Sequence, residues 1–114
     1  MDKIFEELNV AITVCKADGE IIEMNQKSKT VNLRPGQESI IGQNVLDCHP
    51  EPARTKMKSL LDNQETNIYT VEKNGVKKLI YQTPWYEKGV FMGLVEFSME
   101  IPFEMPHFVR KPKV

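Results

Sequence analysis

Apolar and polar positions change period several times along this chain, and the changes divide it into elements. Ile4, Phe5 and Leu8 recur at i, i+1 and i+4 behind Asp2, whose short carboxylate suits a helix start, so a short helix is expected over residues 1–8. From Val10 to Asn25 the pattern shortens to β-type runs broken at Ala17-Asp18-Gly19, whose Asp-Gly pair favours a tight hairpin turn. In that hairpin Ile12 and Val14 are expected on one face, with Ile22 and Met24 opposite them on the second strand. Residues 26–39 are polar, contain Pro35-Gly36 and lack a strong period, which reads as one or two short helices joined by turns. Between Pro52 and Asp62, apolar Ala53, Met57, Leu60 and Leu61 recur at i, i+4, i+7 and i+8. They form the stripe of a helix that starts in a proline-rich turn and faces a sheet.

The second half returns to strands. Ile68–Lys73 and Val76–Trp85 flank Asn74-Gly75, a pair that supplies the two positive φ angles of a type I′ turn. A loop at Glu87-Lys88-Gly89 leads to a last strand, Val90–Ile101, whose alternation puts Val95, Phe97 and Met99 on one side. Two hairpins bracketing a helical insert predict an α+β fold: a five-stranded antiparallel sheet, helices between strands two and three, and one sheet face covered. The 114 residues suffice for one core and not for two, so one domain is expected over residues 1–114. Residues 1–8 are its N-terminal helix and residues 102–114 its tail.

Composition narrows the function classes. With 40% hydrophobic and 27% charged residues the chain reads as an ordinary globule rather than a disordered segment. A net charge of -1 gives no bias toward nucleic acid or an anionic membrane, and neither is expected as a partner. No window approaches the roughly 20 apolar residues of a spanning helix, and MDKIFEEL has no apolar signal core, so a cytoplasmic location is expected. Cys15, in a predicted core strand, and Cys48 are then expected as reduced thiols. The two histidines lie far apart, and no Gly-x-Ser-x-Gly, phosphate-cradling glycine loop or paired catalytic carboxylates occur. An enzyme is not expected.

Several of these residues carry a resemblance to PAS sensory domains. Asp18-Gly19 matches the family's first turn, Asn25 the end of its second strand, Gly42 the apolar-glycine approach to its central helices, and His49-Pro50-Glu51 the start of its long helix. Asn74-Gly75 between strands three and four, and Gly93 at the head of an alternating strand, complete the match. The resemblance implies a sensory or signalling module whose helices and sheet enclose a cleft for haem, flavin, a small acid or nothing. The alternative is a ligand-free module for protein interaction and dimerisation. Val45 follows Gly42-Gln43-Asn44 where light-sensing flavin members carry cysteine, so a flavin adduct is not implied.

Pro50-Glu51-Pro52 resembles the turn that opens the long helix in a haem-binding, oxygen-sensing member, where the fifth residue after the second proline is the iron-ligating histidine. Here that residue is Met57. Haem is the leading specific cofactor, with His49 the first candidate iron ligand and Met57 the second. By the family's architecture Tyr81, Thr83 and Trp85, with Val95 and Phe97, point inward beside Met57 and Leu61. There they either line the cleft or simply fill the core. Pro102 and Pro106 disfavour a continuous signalling helix. Apolar Ile4, Phe5 and Leu8 at one end and Phe103, Met105 and Phe108 at the other predict a homodimer, a contact with another protein, or a tail folded back on the domain.

Overall fold

The structure, a computed structural model, describes residues 1–113. Strands β1 (Ala11–Lys16), β2 (Ile21–Met24), β3 (Asn67–Lys73), β4 (Val76–Glu87) and β5 (Val90–Ile101) form one antiparallel sheet in the order β2-β1-β5-β4-β3. Helix α1 (Lys3–Glu6) precedes it, and α2 (Gln26–Asn32), α3 (Val45–Cys48) and α4 (Ala53–Asn63) are inserted between β2 and β3. This is the α+β architecture that the two hairpins predict. The β3–β4 turn is built as expected, with Asn74 at φ 52° and Gly75 at φ 77° between the paired Lys73 and Val76.

Two bulges decide which side chains reach the core. Along β1 the pairing runs Thr13 with Met24, Val14 with Glu23, then Cys15 with Ile21, leaving Ile22 as an extra residue. Met24 and Ile21, three apart, therefore share the helix-facing side, and both are only 2% exposed. This corrects the expectation that Ile22 and Met24 lie on one face. A strict period of two holds only where the ladder is unbroken. The same device recurs where Trp85 pairs with Gly93 and Tyr86 with Phe91, which lets both Phe91 and Leu94 pack on the core. Gly93 itself sits at φ 147°, and a Cβ there would lie 1.9 Å from the Cys15 carbonyl oxygen. Only glycine allows β1 this close an approach.

The core lies between the sheet and α4. Met57, Leu60 and Leu61 of α4 are buried against Cys15, Ile21, Met24, Val45 and Leu94, whereas Ala53, in the helix's first turn, is exposed. No side chain caps α4 from Pro52; instead the Glu51 carboxylate accepts the Thr55 amide at 2.8 Å and also binds the Thr55 hydroxyl. Arg54 Nε donates to the carbonyls of Leu46 and His49, clipping α3 to α4. At the other end of the sheet Asn25, fully buried, ends β2 and caps α2. Its Oδ1 accepts the amides of Ile12 (2.9 Å) and Ser28 (3.0 Å), and its Nδ2 donates to the carbonyls of Phe5 (2.9 Å) and Val10 (2.8 Å).

Asp2 caps α1 through Ile4 N as expected, but the helix ends at Glu6. The tail does not fold into the core: Phe103, Met105 and Phe108 are at least half exposed, and Arg110 sits over the Phe108 ring. Val114, the last residue of the expected tail, lies outside the described residues.

Candidate ligand cavity

A cavity of about 170 Å³ opens between the sheet and the helices. Its apolar wall is Cys15, Ile21, Ile40, Val45, Met57 and Leu94; its polar lining is Thr13, Asn32, Cys48, His49, Gln82 and Glu96. The strand register explains the polar part. Asn67 pairs with Gln82, Gln82 with Glu96 and Glu96 with Thr13, so four polar residues on four adjacent strands form one row. Directly paired residues share a face, and this row faces the helices.

The row is connected by hydrogen bonds of fixed sense. A carboxylate only accepts, so the Gln82 amide nitrogen must face Glu96, and it donates to Oε1 at 2.8 Å. The Gln82 oxygen is then turned to Asn67, whose Nδ2 donates to it at 3.0 Å. At the far end Thr13 Oγ1 lies 2.5 Å from Ser28 Oγ, to which Asn32 Nδ2 also donates at 3.2 Å. Gln82 is 4% exposed and Ser28 fully buried, so these bonds satisfy groups that water does not reach. Burial pushes the Cys15 thiol up in pKa; a hydrogen bond from Leu94 opposes this, and the charges of Asp18 and Glu96 add to it. Tyr69 is raised by burial and by the same Glu96 charge.

His49 closes α3. Its Nδ1 lies 2.6 Å from the Val45 carbonyl oxygen, which only accepts, so Nδ1 carries a proton and, in the neutral ring, Nε2 is the acceptor. His49, Met57 and Gln82 also line a second, open groove of about 360 Å³ toward Tyr69, and so stand between the two spaces.

The expected site residues divide by sheet face. His49 and Met57 line the cavity, and Leu61 packs in the core beside it. Tyr81, Thr83, Trp85, Val95 and Phe97 do not reach it. Tyr81 pairs with Phe97 and Thr83 with Val95, which places them on the opposite face, out of phase with Gln82, Leu94 and Glu96. There Tyr81 and Phe97 meet edge to face at 6.5 Å, and the Trp85 indole donates to the Cys15 carbonyl at 3.1 Å. Thr13, Gln82 and Glu96, which sequence reasoning passed over, take their place. The available signal was a glutamine and a glutamate in the middle of two strands, Gln82 after Leu79-Ile80-Tyr81 and Glu96 between Val95 and Phe97. Cys15 is buried and Cys48 exposed, and both are free thiols.

No protein-family model and no curated protein matches the sequence. Solved structures do match its fold. The PAS domain of a protein from Colwellia psychrerythraea is 26% identical, with a TM-score of 0.59 over 87% of this chain and 92% of that one. The PAS domain of the histidine kinase ThkA is 19% identical, with a TM-score of 0.63 over 81% of this chain and 99% of that one. The Aer2 receptor from Vibrio cholerae, a dual PAS-haem oxygen sensor, is 17% identical, with a TM-score of 0.61 over 82% and 95%. With its strand order, inserted helices and these matches, the chain has the fold of a PAS domain.

Proposed function

We propose that the chain is a sensory and signalling module that holds a compact small molecule in the cavity between sheet and helices. The cavity carries the reading: an apolar wall over a hydrogen-bonded polar row is the usual chemistry of a ligand site. Its volume of about 170 Å³ is close to the roughly 150 Å³ that accommodates benzene in an engineered protein cavity. It lies below the roughly 300–1,000 Å³ of sites for drug-sized ligands. Similar folds in sensor kinases support the signalling role. We assign the module no catalysis and place it in the cytoplasm; among the described residues no helix is long and apolar enough to cross a membrane.

Haem meets this site only in part. His49 has the chemistry of an iron ligand, since its Nδ1 proton is held by a carbonyl and Nε2 keeps its lone pair. The space does not fit: a porphyrin far exceeds about 170 Å³, and α3 and α4 would have to leave the sheet to admit one. The geometry thus favours a smaller ligand. Titration of the isotope-labelled chain with benzyl alcohol and with haemin is the test. Benzyl alcohol is expected to shift the amides of Cys15, Leu94 and Met57, and haemin to give no Soret shift. A Soret shift abolished in His49→Ala establishes haem instead, and unmoved cavity amides leave the interaction module as the better reading.

That second reading has its own observation. The sheet face away from the helices carries half-buried Val95, Phe97, Met99 and Tyr81, and Ile4, Phe5, Phe103 and Phe108 are exposed at the chain's two ends. A homodimer through this face and these ends covers them.

A further inference from the structure

The polar row also bears on the class of ligand. Among the cavity's lining residues Glu96 is the only carboxylate, and none is lysine or arginine. No salt bridge engages Glu96 among the described residues. Its Oε1 is held by Gln82, and among the described residues no side chain donates to Oε2. The neutral His49 ring, with Nδ1 bonded to the Val45 carbonyl, offers Nε2 as a further acceptor. Of the amide donors, Gln82 Nε2 gives one proton to Glu96 and Asn32 Nδ2 one to Ser28, and both are neutral groups. One hydrogen bond joins the Thr13 and Ser28 hydroxyls. The cavity therefore presents one carboxylate with a free oxygen and no cationic donor to match it. An entering carboxylate meets like charge and no cation, whereas an ammonium or amidinium finds a carboxylate oriented by Gln82, which Asn67 in turn orients.

We propose that the ligand is a compact organic cation, an amine or amidine of roughly benzene size, whose nitrogen binds Glu96 and whose carbon body packs on Ile21, Val45, Met57 and Leu94. This rests on the ligand-sensing reading above and deepens it. The alternative role for Glu96 is purely structural, as the end of the Asn67–Gln82 chain.

Three isosteric probes separate these outcomes: benzylamine, benzyl alcohol and benzoate, titrated into the full chain at neutral pH and followed by amide shifts. A charge-assisted hydrogen bond in place of a neutral one predicts benzylamine about tenfold tighter than benzyl alcohol, with benzoate the weakest. Glu96→Gln should abolish the preference for the amine and leave benzyl alcohol within about twofold, since a charge is removed with little change of shape. Where Glu96→Gln fails to fold, the Glu96 carboxyl carbon of the wild-type chain decides. It must shift with benzylamine and not with benzyl alcohol. Benzyl alcohol binding as tightly as benzylamine, or an amine preference that survives in Glu96→Gln, overturns the proposal while the cavity reading stands. If none of the three moves the cavity amides, both fall.

Discussion

Asn25 offers a sharp test of the fold's polar wiring because its side chain uses its whole hydrogen-bonding capacity on backbone groups of three separate segments. Asn25→Ala strips partners from the amides of Ile12 and Ser28 and from the carbonyls of Phe5 and Val10. The carbonyls belong to the N-terminal segment, where Ile4 and Leu8 are exposed, and local fraying rehydrates them. The amides have no such escape, since Ile12 is 6% exposed and Ser28 fully buried. Two buried unsatisfied groups at about 1–3 kcal/mol each give a loss of about 2–6 kcal/mol, out of a total stability of about 5–15 kcal/mol. At roughly 4 °C per kcal/mol the Tm falls by about 8–24 °C.

Asn25→Asp separates the two halves of the network. One carboxylate oxygen still accepts both amides, while the other takes the place of Nδ2, which lies 2.9 and 2.8 Å from the carbonyl oxygens of Phe5 and Val10. Acceptor facing acceptor is relieved if the carboxyl keeps a proton, so its folded-state pKa is raised above the unfolded value of about 3.9. The folded state then binds more protons than the unfolded state over that interval. Stability is retained below the unfolded pKa and lost as pH rises through the folded one. Urea unfolding followed by circular dichroism at about pH 5 and pH 8 should show Asn25→Asp gaining on wild type at the lower pH. The argument is refuted if Asn25→Ala loses less than about 1 kcal/mol, or if Asn25→Asp gains on wild type at the higher pH instead.

Gly93→Ala should lose at least about 4 kcal/mol or fail to fold, because the new Cβ meets the Cys15 carbonyl at 1.9 Å. Gly42→Ala, also at positive φ but with nothing within 4 Å, should lose only about 1–2 kcal/mol, and equal losses in urea unfolding would show that the close strand approach is immaterial. For the interaction surface, light scattering of the full chain should give a dimer that a Met1–Leu8 deletion weakens at least about tenfold, given the apolar area at Ile4, Phe5 and Leu8. A strict monomer at millimolar concentration removes that reading.

The elements were legible wherever local chemistry sets them. Asn74-Gly75 imposes its turn through backbone sterics alone, and the Met57, Leu60 and Leu61 stripe has only one way to bury itself. Residues 26–39 read only as short helices and turns, because α2 rests on a tertiary device, the Asn25 cap shared with β1 and the N-terminal segment. Bulges at Ile22 and Met92 were equally invisible. Each is one extra residue whose position depends on the neighbouring strand.

The face of β5 shows why the site was harder to read than the fold. Leu94 to Met99 alternates cleanly, and the rule that one face is apolar assigns Val95, Phe97 and Met99 to the core. That rule assumes a dry interior on one side and water on the other. Here the helix-facing side contains a cavity, so Glu96, Gln82 and Thr13 can lie beneath α4 because they bond one another and their neighbours. The opposite face takes the bulky apolar residues, with Ile12 and Val14 of β1, an interior strand, buried. A sheet packed only for stability would put its polar row outward. Turning it inward costs desolvation of a glutamate, a glutamine and a threonine, a cost that binding can offset when the ligand brings the cation that Glu96 lacks.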